Sequence, residues 1–236
     1  MRIGTVPYYN CLPLVAHLDS PPAALAPSGL AGALLSDELD VALMPTASII
    51  KNGFHAYPEC GLIGCDGAVK SVGFFVKNTL ADLAKIKTLY RDQDSATSVR
   101  LGEIILRTTY SREPDTITAI SYAERMNADA QLLIGDKALF FTAPNYRYFD
   151  LGTLWQELTN TGFMFACWAA KKPLTETEQG ILTQAKIRGL ATRAGLVEQI
   201  ANPNRAVILE YLTHNIVYEN TERVQAGFEK FRNFIS

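Results

Sequence analysis

The sequence lacks the short motifs that announce common catalytic chemistries: it holds no G-x-S-x-G, no P-loop, no G-x-G-x-x-G and no H-E-x-x-H. Histidine is scarce, and His17, His55 and His214 stand apart from one another, as ordinary surface or helix residues do. The four cysteines, Cys11, Cys60, Cys65 and Cys167, form no C-x-x-C pair and have no histidine at ligand spacing. That excludes a zinc site and a redox motif, and no metal is expected. Neither sign of charge is in excess, with 22 Lys and Arg against 24 Asp and Glu, so the basic footprint of a nucleic-acid binder is missing. A small anion stays permitted, because backbone N–H groups at a helix start hold one without a basic side chain. The longest apolar run, Phe163 to Ala170, falls far short of the roughly 20 residues that span a bilayer, so no membrane segment is expected. The opening MRIGTVPYYN carries one basic residue followed by a strand-like pattern, which does not read as a secretory signal. Four reduced, mostly buried thiols and a cytoplasmic location are the expectation.

What is present is enough for a substantial core: 48% of the 236 residues are hydrophobic and 19% charged. Arg2 to Val6 reads as a strand ended by Pro7, with Asn10 placed to cap a helix through Leu12, Leu14, Val15 and Leu18. A second strand, Val41 to Met44, ends at Pro45, with Thr46 as the cap of a following helix. Gly61 to Cys65, Val72 to Val76, Lys87 to Tyr90, Thr116 to Ile120, Gln131 to Ile134 and Phe163 to Ala170 are further strand candidates. Between them a helix opens at Ser95 or Thr97 and runs to about Tyr110, with Leu101, Ile104 and Ile105 on one face. Beyond Pro173 the pattern is helical, and Val224, Phe228, Phe231 and Ile235 form a core-facing stripe. Alternating strands and helices predict an α/β protein with mostly parallel sheet. The closing helices need a surface to cover, which predicts a discontinuous arrangement: lobe one from 1–75 and 167–236, lobe two from 76–166, the chain crossing near Phe74 and Cys167. The cleft between such lobes is the expected ligand site.

Five polar loops follow strand candidates: Tyr8-Tyr9-Asn10, Pro45-Thr46, Asp66 to Ser71 with Gly67, Asp94 to Ser98, and Gly135-Asp136. Ligands of open α/β sheets bind outside the carboxyl ends of the strands, so these loops are expected to converge on one crevice. Taken singly, each polar residue reads more readily as a helix cap, and it is their joint recurrence at strand ends that favours a site. Ser95, Thr97 and Ser98 ahead of an amphipathic helix would form a cradle for a carboxylate, or simply a hydroxyl-rich helix start.

Several of these stretches, in this order and spacing, resemble the chorismate dehydratases and their relatives with the periplasmic-binding-protein type II-like fold. They are Ile3-Gly4 to Tyr8 with Asn10 and Pro13-Leu14, Asp40 to Pro45, Asp66-Gly67 with Val69 and Ser71-Val72, and Ser95 with Thr97-Ser98. Leu133 to Asp136 with Ala138-Leu139, Asp150 to Gly152 with Trp155, and Phe165-Ala166 with Trp168 to Ala170 complete the match, which spans nearly the whole chain. The chain departs from the family pattern at Tyr9 and Ala68, where Leu and Pro are usual, and at Cys65, where Ser is common, and it is shorter than typical. The resemblance implies a two-lobed fold and loss of water from chorismate to give 3-[(1-carboxyvinyl)oxy]benzoate, on the futalosine route to menaquinone, without a cofactor. It also implies catalytic roles for Asn10 and Ser71, and substrate contacts from Tyr8, Gly67, Ser95, Thr97, Ser98 and Asp136. Neither Asn10 nor Ser71 has a side-chain pKa suited to a general base, which leaves the substrate's enolpyruvyl carboxylate as a candidate for that role. A non-catalytic anion-binding protein of the same fold and a sister enzyme on another ring substrate, such as dihydroxynaphthoate synthase, remain alternatives.

Overall fold

The protein is described from a computed structural model, which covers residues 1–92 and 96–235. Two five-stranded sheets form its framework. The first contains β1 (Ile3–Thr5), β2 (Ala23–Ala24), β3 (Val41–Pro45), β4 (His55–Cys65) and, from much later in the chain, β10 (Phe163–Ala170), in the order β2-β1-β3-β10-β4. The second contains β5 (Val72–Lys77), β6 (Thr88–Arg91), β7 (Thr118–Ile120), β8 (Ala130–Ile134) and β9 (Tyr146–Asp150), in the order β7-β6-β8-β5-β9.

The sheets are mixed and not mostly parallel, and the reason lies in the links between them. β1, β2 and β3 run parallel, as do β6, β7 and β8, but β10 is antiparallel to both β3 and β4, and β5 to both β8 and β9. A parallel neighbour needs a long crossover, whereas a short link enters a sheet at its near end and reverses direction. Residues 66–71 are such a link, taking the chain from Cys65 directly into β5. The return runs through the helix Leu151–Thr159 into Phe163, which pairs with Cys65. Phe74 and Cys167 are therefore fully buried residues in the middle of central strands and not crossing points. The boundaries expected at 75/76 and 166/167 fall inside β5 and β10; the change of sheet lies at 66–71 and at 151–162.

Ten α-helices of the described residues clothe the sheets: α1 (Leu12–Val15), α2 (Pro27–Leu35), α3 (Thr46–Asn52), α4 (Ala96–Tyr110), α5 (Gly135–Leu139), α6 (Leu151–Thr159), α7 (Glu176–Ala191), α8 (Arg193–Glu198), α9 (Arg205–Glu210) and α10 (Glu222–Ile235). The start of α7 is fixed by a capping box in which Thr175 and Glu178 each satisfy the other's backbone N–H. The α10 stripe buries Val224 and Phe231 fully, and Phe231 meets Phe163 and Trp155 edge to face at 5.1 and 6.3 Å. α7 crosses α1 so closely that a Cβ at Gly189 would lie 1.8 Å from the Pro13 carbonyl oxygen, which makes glycine the residue that lets α1 seat against it. Among the described residues no helix is long and apolar enough to cross a membrane.

Candidate functional site

Pro7 ends the first strand, and a 3-10 turn over Tyr9–Cys11 carries the chain into α1. Asn10 lies in the middle of that turn and caps no helix; the residues in the capping positions, Tyr8 and Cys11, make no side-chain cap bond. The Asn10 side chain is instead spent on tertiary bonds. Its Nδ2 donates to the Tyr211 hydroxyl at 3.2 Å, its Oδ1 accepts from the Cys11 thiol at 3.4 Å, and its main-chain oxygen accepts from the Tyr218 hydroxyl at 3.1 Å. Thr46, expected as a cap, is the first residue of α3, and its hydroxyl donates to the Met164 carbonyl at 2.7 Å.

The 66–71 link is shaped by one carboxylate. Asp150 accepts from the backbone N–H of Val69 (3.0 Å) and Lys70 (2.7 Å) while capping α6 through Thr153 N–H (3.0 Å), and Tyr148 donates its hydroxyl to it at 3.0 Å. This clamp sets Ser71 at the mouth of β5, buried, where its Oγ accepts from Tyr211 at 2.7 Å. Gly67, at φ +114°, sits on the α6 side of the link near Gln156 and does not line the cleft. Its role is to let the link turn.

From the other lobe come the start of α4 and the start of α5. Thr97 Oγ1 accepts the Ala47 backbone N–H at 3.1 Å, a bond that ties α4 to α3 across the lobes, and Ser98 is buried beside it. Ser95 lies outside the described residues. At the end of β8, Gly135 has φ +59°, and a Cβ there would lie 2.9 Å from the Tyr8 ring, so both backbone conformation and space demand glycine. Asp136 follows. It accepts the Tyr9 backbone N–H at 3.3 Å, and burial pushes its carboxyl up to about 6 against that hydrogen bond's opposing pull.

These pieces meet in one cleft of about 580 Å³, its open mouth included. Tyr8, Asn10, Ser71, Thr97 and Ser98 all line it, along with Pro45 and Gly135, so the convergence of strand-end loops is observed. Asp136 does not; it lies on the far side of the Tyr8-Tyr9 loop, in a shallow depression with Tyr9, Cys11 and Ile200. The remaining walls are apolar, from Val6, Leu43, Ile63, Val72, Ile134 and Phe165. Among the described residues no Asp, Glu, His, Lys or Arg lines the cleft, and no group of three His, Cys, Asp or Glu gathers that would hold a metal. Among the described residues, the groups there that favour an anion are hydroxyls, the Asn10 amide and the N-terminal end of the 15-residue α4, whose dipole favours negative charge.

Two contributors escape the sequence. Tyr211 and Tyr218 follow α9 in a stretch without any motif, and only the fold brings them behind Asn10 and Ser71. The four cysteines are buried and unpaired, and burial pushes the Cys11 and Cys167 thiols up to about 12, so they stay protonated.

Comparison with known proteins agrees with this architecture. A curated chorismate dehydratase of Thermus thermophilus is 26% identical over 233 residues, covering 87% of this chain and 83% of the relative. Among solved structures, an Archaeoglobus fulgidus protein superimposes with a TM-score of 0.72 at 11% identity, covering 99% of this chain and 95% of that one. The periplasmic aliphatic sulphonate binding protein SsuA of Escherichia coli gives 0.65 at 18% identity, covering 99% and 85%. The two sheets, each with one reversed strand and a cleft between them, thus form a periplasmic-binding-protein-like fold. A family model described as menaquinone biosynthesis matches residues 1–236, and with its full length accounted for in this way the chain belongs to the menaquinone biosynthesis family.

Proposed function

We propose that the protein is a hydro-lyase that converts chorismate to 3-[(1-carboxyvinyl)oxy]benzoate in the cytoplasm, on the futalosine route to menaquinone. The observation that carries this reading is the character of the cleft. It offers neutral donors, Asn10 and Ser71 on one side and Thr97 and Ser98 at a helix start on the other, in a space suited to one small dianion. Family membership and the dehydratase relative support it.

The chemistry needs little more. The ring carbon that bears the enol ether loses its proton, the C–H electron pair becomes a new ring double bond, and the C–OH bond on the adjacent ring carbon breaks. The hydroxide released takes up a proton and leaves as water, with aromatisation as the drive. Since no acid or base side chain of the described residues lines the cleft, the substrate's own enolpyruvyl carboxylate serves as base and returns the proton to the departing hydroxyl. Asn10 and Ser71 orient these groups through hydrogen bonds that strengthen as charge moves to oxygen. Thr97, Ser98 and the α4 dipole hold the ring carboxylate, and lobe closure supplies near-attack geometry and excludes water.

The fold also serves solute capture, as the sulphonate-binding neighbour illustrates. Turnover separates the two readings. Pure protein incubated with chorismate, without added metal or cofactor, yields an aromatic enol ether lighter than the substrate by one water, followed by absorbance and mass. Tight binding of chorismate with no product would make this a binding protein.

A further inference from the structure

We propose that Tyr211 is a positioning residue that sets the direction of the cleft's hydrogen-bond chain, so that Ser71 presents its proton, and not a lone pair, to the substrate. The inference rests on the dehydratase reading and concerns a residue outside the cleft lining.

Tyr211 is 2% exposed and opens the π-helical turn Tyr211–Asn215 that continues α9, the kind of irregularity that tends to be kept where a side chain must be re-aimed. The turn is fastened to the link that carries Ser71. Asn215 Nδ2 donates to the Ala68 carbonyl at 2.9 Å, and Lys70 pairs with Glu210 at 2.9 Å. Just beyond, Val217 exchanges backbone hydrogen bonds of 2.9 Å with Gly64 of β4. The phenol oxygen is thus held in place by bonds on both sides of it in the chain.

Its partners determine where each proton points. The Cys11 thiol, kept protonated by burial, is a donor and faces Asn10 Oδ1, so the Asn10 NH₂ group faces Tyr211. A phenol that accepts from Asn10 has its own proton to give, and the oxygen at hydrogen-bond distance to receive it is Ser71 Oγ at 2.7 Å. Burial pushes the phenol's pKa up, which keeps that proton on Tyr211. Ser71 Oγ, already accepting from Tyr211, retains its own hydrogen for the cleft that it lines. The sequence Asn10 to Tyr211 to Ser71 to substrate makes each donor polarise the next, strengthening the last bond where the departing hydroxyl accumulates charge. No proton is transferred along it; the chain only orients and polarises.

The test uses the full-length protein and chorismate. Tyr211→Phe, which keeps the ring and removes the hydroxyl, should lower kcat by about tenfold, the loss of one hydrogen bond felt mainly in the transition state. KM should stay within about twofold. Because Tyr211 acts through Ser71, adding Tyr211→Phe to Ser71→Ala should cost no further kcat. An unchanged kcat in folded Tyr211→Phe, or independent losses that multiply in the double variant, would overturn the proposal. If circular dichroism shows Tyr211→Phe unfolded, 3-fluorotyrosine at position 211 replaces it. Its more acidic phenol donates more strongly, so kcat should rise, and an unchanged or lower kcat overturns the assignment. A wild-type protein without turnover fails the dehydratase reading itself, an outcome distinct from active wild type with an indifferent Tyr211.

Discussion

The two faces of the Tyr8–Cys11 segment differ in kind. Its inner face, at Asn10, meets a neutral set of partners in Tyr211, Cys11 and Tyr218. Its outer face, at Tyr9, meets the half-buried Asp136 carboxylate, whose proton affinity burial has raised. The difference teaches that, among the described residues, the cleft lining carries no charge, while a titratable group is kept one residue away, where it joins the lobes outside that lining. A dianionic substrate explains the first arrangement: a fixed carboxylate beside it would repel it, and a fixed ammonium would hold ground and transition states alike.

The sharpest break of this comparison moves charge from the outer face to the inner one. Asn10→Asp puts a carboxylate among buried partners, so some stability is lost, and kcat should fall by at least about 10²-fold, since a carboxylate cannot donate to Tyr211 and repels the substrate. Steady-state kinetics beside a melting curve would show it; full activity would remove Asn10 from the chemistry. Next in size, Gly135→Ala forces a left-handed backbone and a Cβ against the Tyr8 ring, costing about 2 kcal/mol of stability and raising KM as Tyr8 is displaced. Thr97→Ala deprives the Ala47 N–H of its acceptor and the substrate of a hydroxyl, and should weaken binding by roughly 0.5–1.5 kcal/mol, read as KM with little change in kcat.

The smallest effect belongs to Asp136. Its folded pKa, about 6, lies above the ordinary carboxylate value, so the folded state binds the proton more tightly. The stability it contributes is full at acid pH below the unfolded value and is lost as pH rises through about 6. Asp136→Asn should flatten that part of the stability curve, measured by denaturant unfolding across pH, while leaving the donor set of the cleft intact.

How much of this was legible in the sequence depended on whether the signal was local. Phe163 to Ala170 is a strand with those bounds, because a continuous run of buried apolar residues needs no partner to be recognised. Helix α4 was read closely from its i, i+3, i+4 pattern, and the polar strand ends marked Tyr8, Asn10, Ser71, Thr97 and Ser98 as cleft residues. β9 leaves no signal because Tyr146 to Asp150 is an edge strand in which no residue is fully buried, so it carries no hydrophobic alternation. The first half of β4 was missed for the same reason, with His55 and Glu59 exposed. Asn10 before an apolar helix looks like a cap, and nothing local reveals that Tyr211, 201 residues away, claims its amide. Asp136 was misplaced because the loop was rightly located but the side of it the carboxylate takes depends on packing against Tyr9.

In the proposed reaction no protein side chain titrates as the base, and the pH profile of kcat with chorismate is the measurement that decides it. The expected profile is flat from about pH 7 to about pH 9, because the substrate's carboxylate is fully ionised throughout and Asn10, Ser71 and Tyr211 do not titrate there. A limb with an apparent pKa inside that window, lost on substituting a single histidine, cysteine or acidic residue, would place a protein base in the reaction and contradict it.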